Sequence, residues 1–219
     1  MRDPSAPAPP ASLLPTRAGV VLSLAMAATV AALLLAMGRV PVSATGRILL
    51  WTGEVNGPEN SQQLSDWYSF SHIIHGLLFY FFAHVIFVRY PAARSRRLAG
   101  AASAGRMPGA HLQNLALPIA VAFEGFWELL ENSPLIIDRY RSVTVNYGYS
   151  GDSVLNSMSD IACMTLGFLL ASRLPVWASV ALALAFELTT LWVIHDNLTL
   201  NVVMLVWPVQ AIRDWQGMV

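Results

Sequence analysis

SFSHIIHGLLFYFFAHVIFV, residues 69–88, decides the fold. These twenty residues contain no carboxylate, no arginine and no lysine. At 1.5 Å per residue a helix of this length crosses a hydrocarbon layer of about 30 Å. His72 and His75 stand one helical turn apart near one end of it, on a helix otherwise fit for lipid. Polar side chains in a spanning helix face a bundle interior or a water-filled cavity, because exposing them to hydrocarbon costs a few kcal/mol or more. The segment therefore predicts a membrane helix that turns two imidazoles inward.

The rest of the chain reads the same way. It has 219 residues, of which 55% are hydrophobic and 12% charged, and a mean hydropathy of +0.53, too apolar for a soluble domain of this size. The pattern predicts an all-α, multi-pass transmembrane bundle with five to six spanning segments, forming one domain over residues 18–219. Helices are expected at about 18–37, 69–88, 113–131, 153–172, 176–194 and 198–212. The last is short for a span and interrupted by Pro208, so it is either tilted or re-entrant. Residues 1–17 are rich in Pro and Ala and read as a disordered tail. A cleavable signal is the competing reading of 18–37, but the apolar run exceeds the usual length of roughly 7–15 residues.

Arginine supplies all 13 basic residues. In this threading nine lie on one side (2, 17, 89, 94, 96, 97, 106, 173, 213) and four on the other (39, 47, 139, 141), which predicts that both termini are cytoplasmic. Net charge is zero and no basic face forms, so a nucleic-acid partner is not expected. The single cysteine, Cys163, lies in an apolar stretch and excludes disulfides within the chain.

Three further stretches carry acids and amides at helical spacing: Glu124, Glu128 and Glu131; Asp152, Asn156 and Asp160; Glu187, followed by His195 and Asp196. In the predicted orientation all fall in the outer halves of their helices, with Glu124 about 10 Å deeper than Glu131, Asp160 about 12 Å deeper than Asp152, and Glu187 at a similar depth below His195. So many carboxyl groups cannot all be ionised together in a low-dielectric site. They require shared protons, arginines folding back from the loop at 139 and 141, or a bound cation. Histidine with carboxylate suits a divalent metal, with His72, His75, Glu128 and Glu131 as candidate ligands. Simpler roles stand beside this one: Asp152 as a helix N-cap, Asn156 and Ser157 as interhelical hydrogen-bonders, and the Trp and Tyr residues 51, 67, 68, 140, 147 and 149 as an interfacial belt. Gly148-Tyr149-Ser150-Gly151 matches the Gly-x-Ser-Gly of rhomboid proteases, but the rest of that pattern is missing.

The runs SQQLSDWYSFSHIIHG (61–76), EGFWELLENSPLIIDRYR (124–141), GDSVLNSMSD (151–160) and LTLNVVMLVWP (198–208) resemble an alphaproteobacterial inner-membrane family known as uncharacterised protein family 0314, or domain of unknown function 2585. The resemblance covers about residues 18–216. It implies a multi-pass protein of the cell inner membrane and carries no reaction with it.

The residues themselves suggest an outer-facing site for a lipid or other amphiphile with a polar head group. His75, Glu128 and Asp160 are the candidate catalytic groups; Arg139, Arg141 and Asn156 are candidates to grip the substrate. A proton-coupled carrier using Glu124, Asp160 and Glu187 as a relay is the second reading, and a non-catalytic membrane scaffold the third.

Overall fold

The computed structural model describes residues 13–91, 93, 113–144 and 148–218. Most of the proline-rich tail, most of the basic stretch after Arg89 with His111, and Tyr147 lie outside them. The described residues form eight α-helices: α1 (Arg17–Ala36), α2 (Ser69–His84), α3 (Ala116–Glu131), α4 (Pro134–Val143), α5 (Val154–Ala171), α6 (Val176–Ile194), α7 (Leu198–Val206) and α8 (Gln210–Gln216). No strand occurs among the described residues, so the expected all-α class is the one found. The chain continues α2 through one wider π turn, Val85–Arg89.

Four of these elements, α1, α2 with its π extension, α5 and α6, are long and apolar enough to cross a membrane. The 16-residue α3 is as apolar but shorter, at about 24 Å. The helix expected at 198–212 is corrected. Trp207 leaves helical geometry ahead of Pro208, whose ring is incompatible with a continuing helix, and the segment divides into α7 and α8.

Local chemistry fixes the helix ends. Thr16 caps α1 by accepting from the Gly19 amide at 3.2 Å, and Gly38 follows α1 with φ +84°, a left-handed exit that glycine takes without strain. Ser153, not Asp152, caps α5, its hydroxyl accepting from Asn156 N at 3.1 Å. Asn197 caps α7 through Leu200 N at 2.8 Å. His195, at φ 53°, makes the sharp turn between α6 and α7.

The most extensive helix pair is α2 against α5. A Cβ added to Gly76 would meet the backbone of Met164, Phe168 and Gly167, and one on Gly167 would meet the backbone of Ile73. The two backbones therefore touch, as small residues permit in membrane helices. Helix α1 packs on α3, and Leu34, Val121, Met164 and Phe168 close a dry core between them and α5. Helix α6 leaves Trp177, Leu184, Leu188 and Trp192 exposed along one side, as lipid contact requires.

Residues 37–68 form no helix or strand beyond turns, yet they are ordered by buried polar groups. The Glu59 carboxylate accepts from Ser43 Oγ at 2.8 Å, from Thr45 Oγ1 at 2.7 Å and from Gln63 Nε2. Asp66 accepts from the amides of Ser61, Tyr68 and Ser69, fixing the entry to α2. Gln62 and Gln63 then tie the segment to the start of α5: the Gln62 carbonyl accepts from Ser153 Oγ and the Gln63 carbonyl from Asn156 Nδ2, both at 2.9 Å.

Candidate functional site

The close contact of α2 with α5, and the lean of α3 against both, bring His72, His75, Glu124, Glu128 and Asp160 together. His72 and His75 occupy consecutive turns of α2 with ring centroids 5.3 Å apart. Both present Nδ1 to one acid on α3: His72 lies 2.5 Å from Glu124 Oε1, and His75 lies 3.2 and 3.1 Å from Glu124 Oε1 and Oε2. One turn further along α3, Glu128 Oε1 is 3.7 Å from His72 Nδ1, and from α5 Asp160 Oδ2 is 3.8 Å from His72 Nε2. Glu124 and Glu128 are wholly buried. Both Glu128 oxygens and Asp160 Oδ1 are without a hydrogen-bond partner. Among the described residues two groups have ligand atoms within 4.8 Å of one another: His72 with His75 and Glu124, and His72 with Glu128 and Asp160.

This cluster borders a cavity of about 510 Å³. His72, His75, Glu124 and Asp160 reach its surface, whereas Glu128 lies behind them. Phe79, Trp127, Ile194, Leu198 and Val202 supply apolar walls. Glu131 lines the cavity toward Tyr140, apart from both groups of ligand atoms. Asn156 is there too, its amide already donating to the Gln63 carbonyl.

Sequence reasoning left part of this wall unnoticed. Tyr68, Tyr140 and Tyr149, read as interfacial aromatics, line the cavity with their hydroxyls engaged: Tyr68 donates to Asp196 at 3.3 Å, Tyr140 to Asn201 at 2.7 Å and Tyr149 to Asp152 at 2.9 Å. Asn60, Asn201 and Gln216 also belong to the polar lining, and Gln216 Nε2 donates to Asp196 at 3.1 Å. The signal available was weak: a tyrosine flanked by short helical stretches looks the same whether it turns out or in.

Burial pushes Asp152 up to about 6, against the opposing hydrogen bonds from Tyr149 and Asn132. Burial likewise pushes Asp196 up to about 6, with the Asn197 amide and the Tyr68 hydroxyl working the other way. Both acids are buried just beyond the helices, Asp152 ahead of α5 and Asp196 after α6.

Other candidates stand elsewhere. Arg139 Nε donates to the Leu205 carbonyl at 3.0 Å and Arg141 Nε to the Tyr149 carbonyl at 2.5 Å, so both brace the wall and neither lines the cavity. Glu187 is also absent from the lining; its carboxylate accepts from Leu198 N and Thr199 N at 3.0 and 3.2 Å, at the start of α7. His195 stacks on Trp215 with centroids 4.3 Å apart and faces the Trp215 carbonyl at 3.1 Å.

A family profile described as a protein of unknown function, DUF2585, matches residues 34–218. A UPF0314 protein of Novosphingobium aromaticivorans is 53% identical over 205 residues, covering 94% of this chain and 96% of that protein. A UPF0314 protein of Sphingopyxis alaskensis is 53% identical over 202 residues, covering 92% and 96%. One of Agrobacterium fabrum is 50% identical over 185 residues, covering 84% and 83%. No solved structure matches the chain.

Proposed function

Starting from a chain that belongs to the DUF2585 family, we propose that it is an inner-membrane protein that draws the polar head of an amphiphile into the cavity and acts on it at the His72–His75–Glu124 cluster. The observation that carries this is the cavity itself, whose lining combines apolar side chains with a buried histidine–carboxylate cluster. A volume of about 510 Å³ suits a head group with its first methylenes. The arginine distribution supports the orientation that puts this site in the outer half of the bundle.

Among the described residues the lining contains the carboxyl groups of Glu124, Glu131, Asp152, Asp160 and Asp196 and no arginine. A bare phosphate is therefore disfavoured, and a hydroxylated or amine-bearing head is the better fit, held by Asn60, Asn156 and Asn201. Glu124 fixes both imidazoles through Nδ1, which suits His75 to move a proton at Nε2. A divalent cation is the natural partner of the unpaired carboxylate oxygens of Glu128 and Asp160. The carrier reading loses support because Glu187, one of its three relay acids, is spent on the start of α7.

Native mass spectrometry of the detergent-purified protein tests the reading. The parent should carry a co-purified amphiphile. Ser71→Trp, which narrows the cavity from α2 and leaves every residue of the cluster in place, should abolish it. Equal occupancy in both proteins, or none in the parent, overturns the proposal.

A further inference from the structure

We propose that one divalent cation is held by His72 Nε2, Glu128 and Asp160, that Glu124 orients the histidines without ligating, and that His75 stays free to serve whatever binds on the ion's cavity side. This rests on the reading that the cluster takes a divalent cation and settles which of two overlapping groups holds it.

The first group, His72 with His75 and Glu124, is a hydrogen-bonded array. Two donors on one tetrahedral ion with bonds of about 2.0–2.1 Å lie about 3.3 Å apart. His72 Nδ1 and Glu124 Oε1 are 2.5 Å apart, too close to share an ion and right for a charge-assisted hydrogen bond. Glu124 meets His75 through the same ring position, Nδ1. A carboxylate behind Nδ1 is what orients a metal-bound imidazole, fixing its tautomer and leaving Nε2 as the ligand atom.

The second group has the complementary properties. His72 Nε2 is 3.8 Å from Asp160 Oδ2, within a small contraction of the spacing an ion requires, whereas Glu128 Oε1 is 3.7 Å from Nδ1 of the same ring, so the Glu128 side chain must swing toward Nε2 to complete the set. One atom each of His72, Glu128 and Asp160 lies within 4.8 Å of the others, and all three residues are at most 6% exposed. Glu128 is the independent sign of a ligand: its exposure is 0% and neither oxygen has a hydrogen-bond partner. Leaving a buried acid unsatisfied in this way carries the full desolvation cost of the group. A cation against Glu128 and Asp160 removes it. Since His72 and Asp160 reach the cavity and Glu128 does not, the ion would have protein on one side and an open position on the other. Three protein ligands with one open position is the arrangement of catalytic zinc sites.

The test uses the full chain without a histidine tag, stripped with chelator, reloaded with Zn²⁺ or Mn²⁺ and passed over a desalting column. Metal content and the metal-dependent shift in melting temperature are read for the parent, Glu128→Gln, Asp160→Asn and His75→Ala. The parent and His75→Ala should retain about one ion per chain, and the other two should fall roughly tenfold or more. Glu128→Gln removes a buried unpaired acid, so its metal-free form should melt no lower than the metal-free parent, which separates ion loss from misfolding. Retention by Glu128→Gln with loss in His75→Ala overturns the ligand assignment and leaves the metal reading standing. No retained ion and no shift in the parent overturns both.

Discussion

Asp196→Asn should flatten the dependence of stability on pH. Asp196 sits where α6 turns into α7, accepting from Tyr68, the Asn197 amide and Gln216, and burial holds its carboxyl at about 6 against a reference value of 3.8. A raised carboxyl binds its proton more tightly in the folded protein. Its contribution is therefore fully present below the unfolded value near 4 and is lost as pH rises through about 6. A difference of about two units at 1.36 kcal/mol each gives a loss of about 3 kcal/mol, as an upper figure, between pH 4 and pH 7. The assay is thermal unfolding of parent and variant in one detergent, at half-unit steps from pH 4 to pH 8. The parent should lose stability relative to the variant across pH 4–6 and hold a constant offset above pH 7. An offset that does not change with pH, or one that grows in the parent's favour as pH rises, would refute the burial argument.

Two further outcomes follow from the helix contacts. Gly76→Ala drives a methyl into the backbone of α5, where the Phe168 amide nitrogen is only 2.5 Å from the added carbon; overpacking of this kind costs about 1–3 kcal/mol, and Ser→Ala at exposed Ser142 is the control for handling losses. A melting temperature unchanged from the parent would contradict the backbone contact. Ser153→Ala removes the cap of α5 and the bond to the Gln62 carbonyl, at about 1–2 kcal/mol, and should also speed proteolysis within 37–68; stability loss without faster cleavage would mean that the cap alone matters.

The helical, membrane-like architecture was legible because its signal is strong and local: long runs such as 69–88 and 176–194 have no other stable home for their side chains. The gathering of His72, Glu124 and Asp160 was partly legible for the same reason, since each is a costly polar residue at helical spacing in such a run. What could not be read was the outcome of competition among short-range partners. Asp152 and Ser153 are both good caps, and the neighbouring Asn132 drew Asp152 away by offering its side-chain amide at 2.9 Å and accepting the Asp152 amide at 2.7 Å. Glu187 has the same spacing and hydropathy context as Glu124, yet the free amides at the start of α7 lie closer to it than any histidine. The inward turn of Tyr140 depends on α4, a ten-residue helix that buries Ile137, Tyr140 and Val143 on one face, while its Asp138, Arg139 and Arg141 make the segment resemble a charged loop.

The direct contact of Gly76 with α5 and Gly167 with α2 has a mechanical consequence. Side chains can repack when helices slide; touching backbones have nothing between them to rearrange. His72 and Asp160 thus hang from a single stiff beam, and their separation is set by main-chain contact. The opposite wall is of another kind: α6 is mostly exposed along its length, and α7 and α8 are short pieces held by a few polar bonds. If the cavity breathes to admit a guest, the beam is the anvil and residues 176–218 are the jaw.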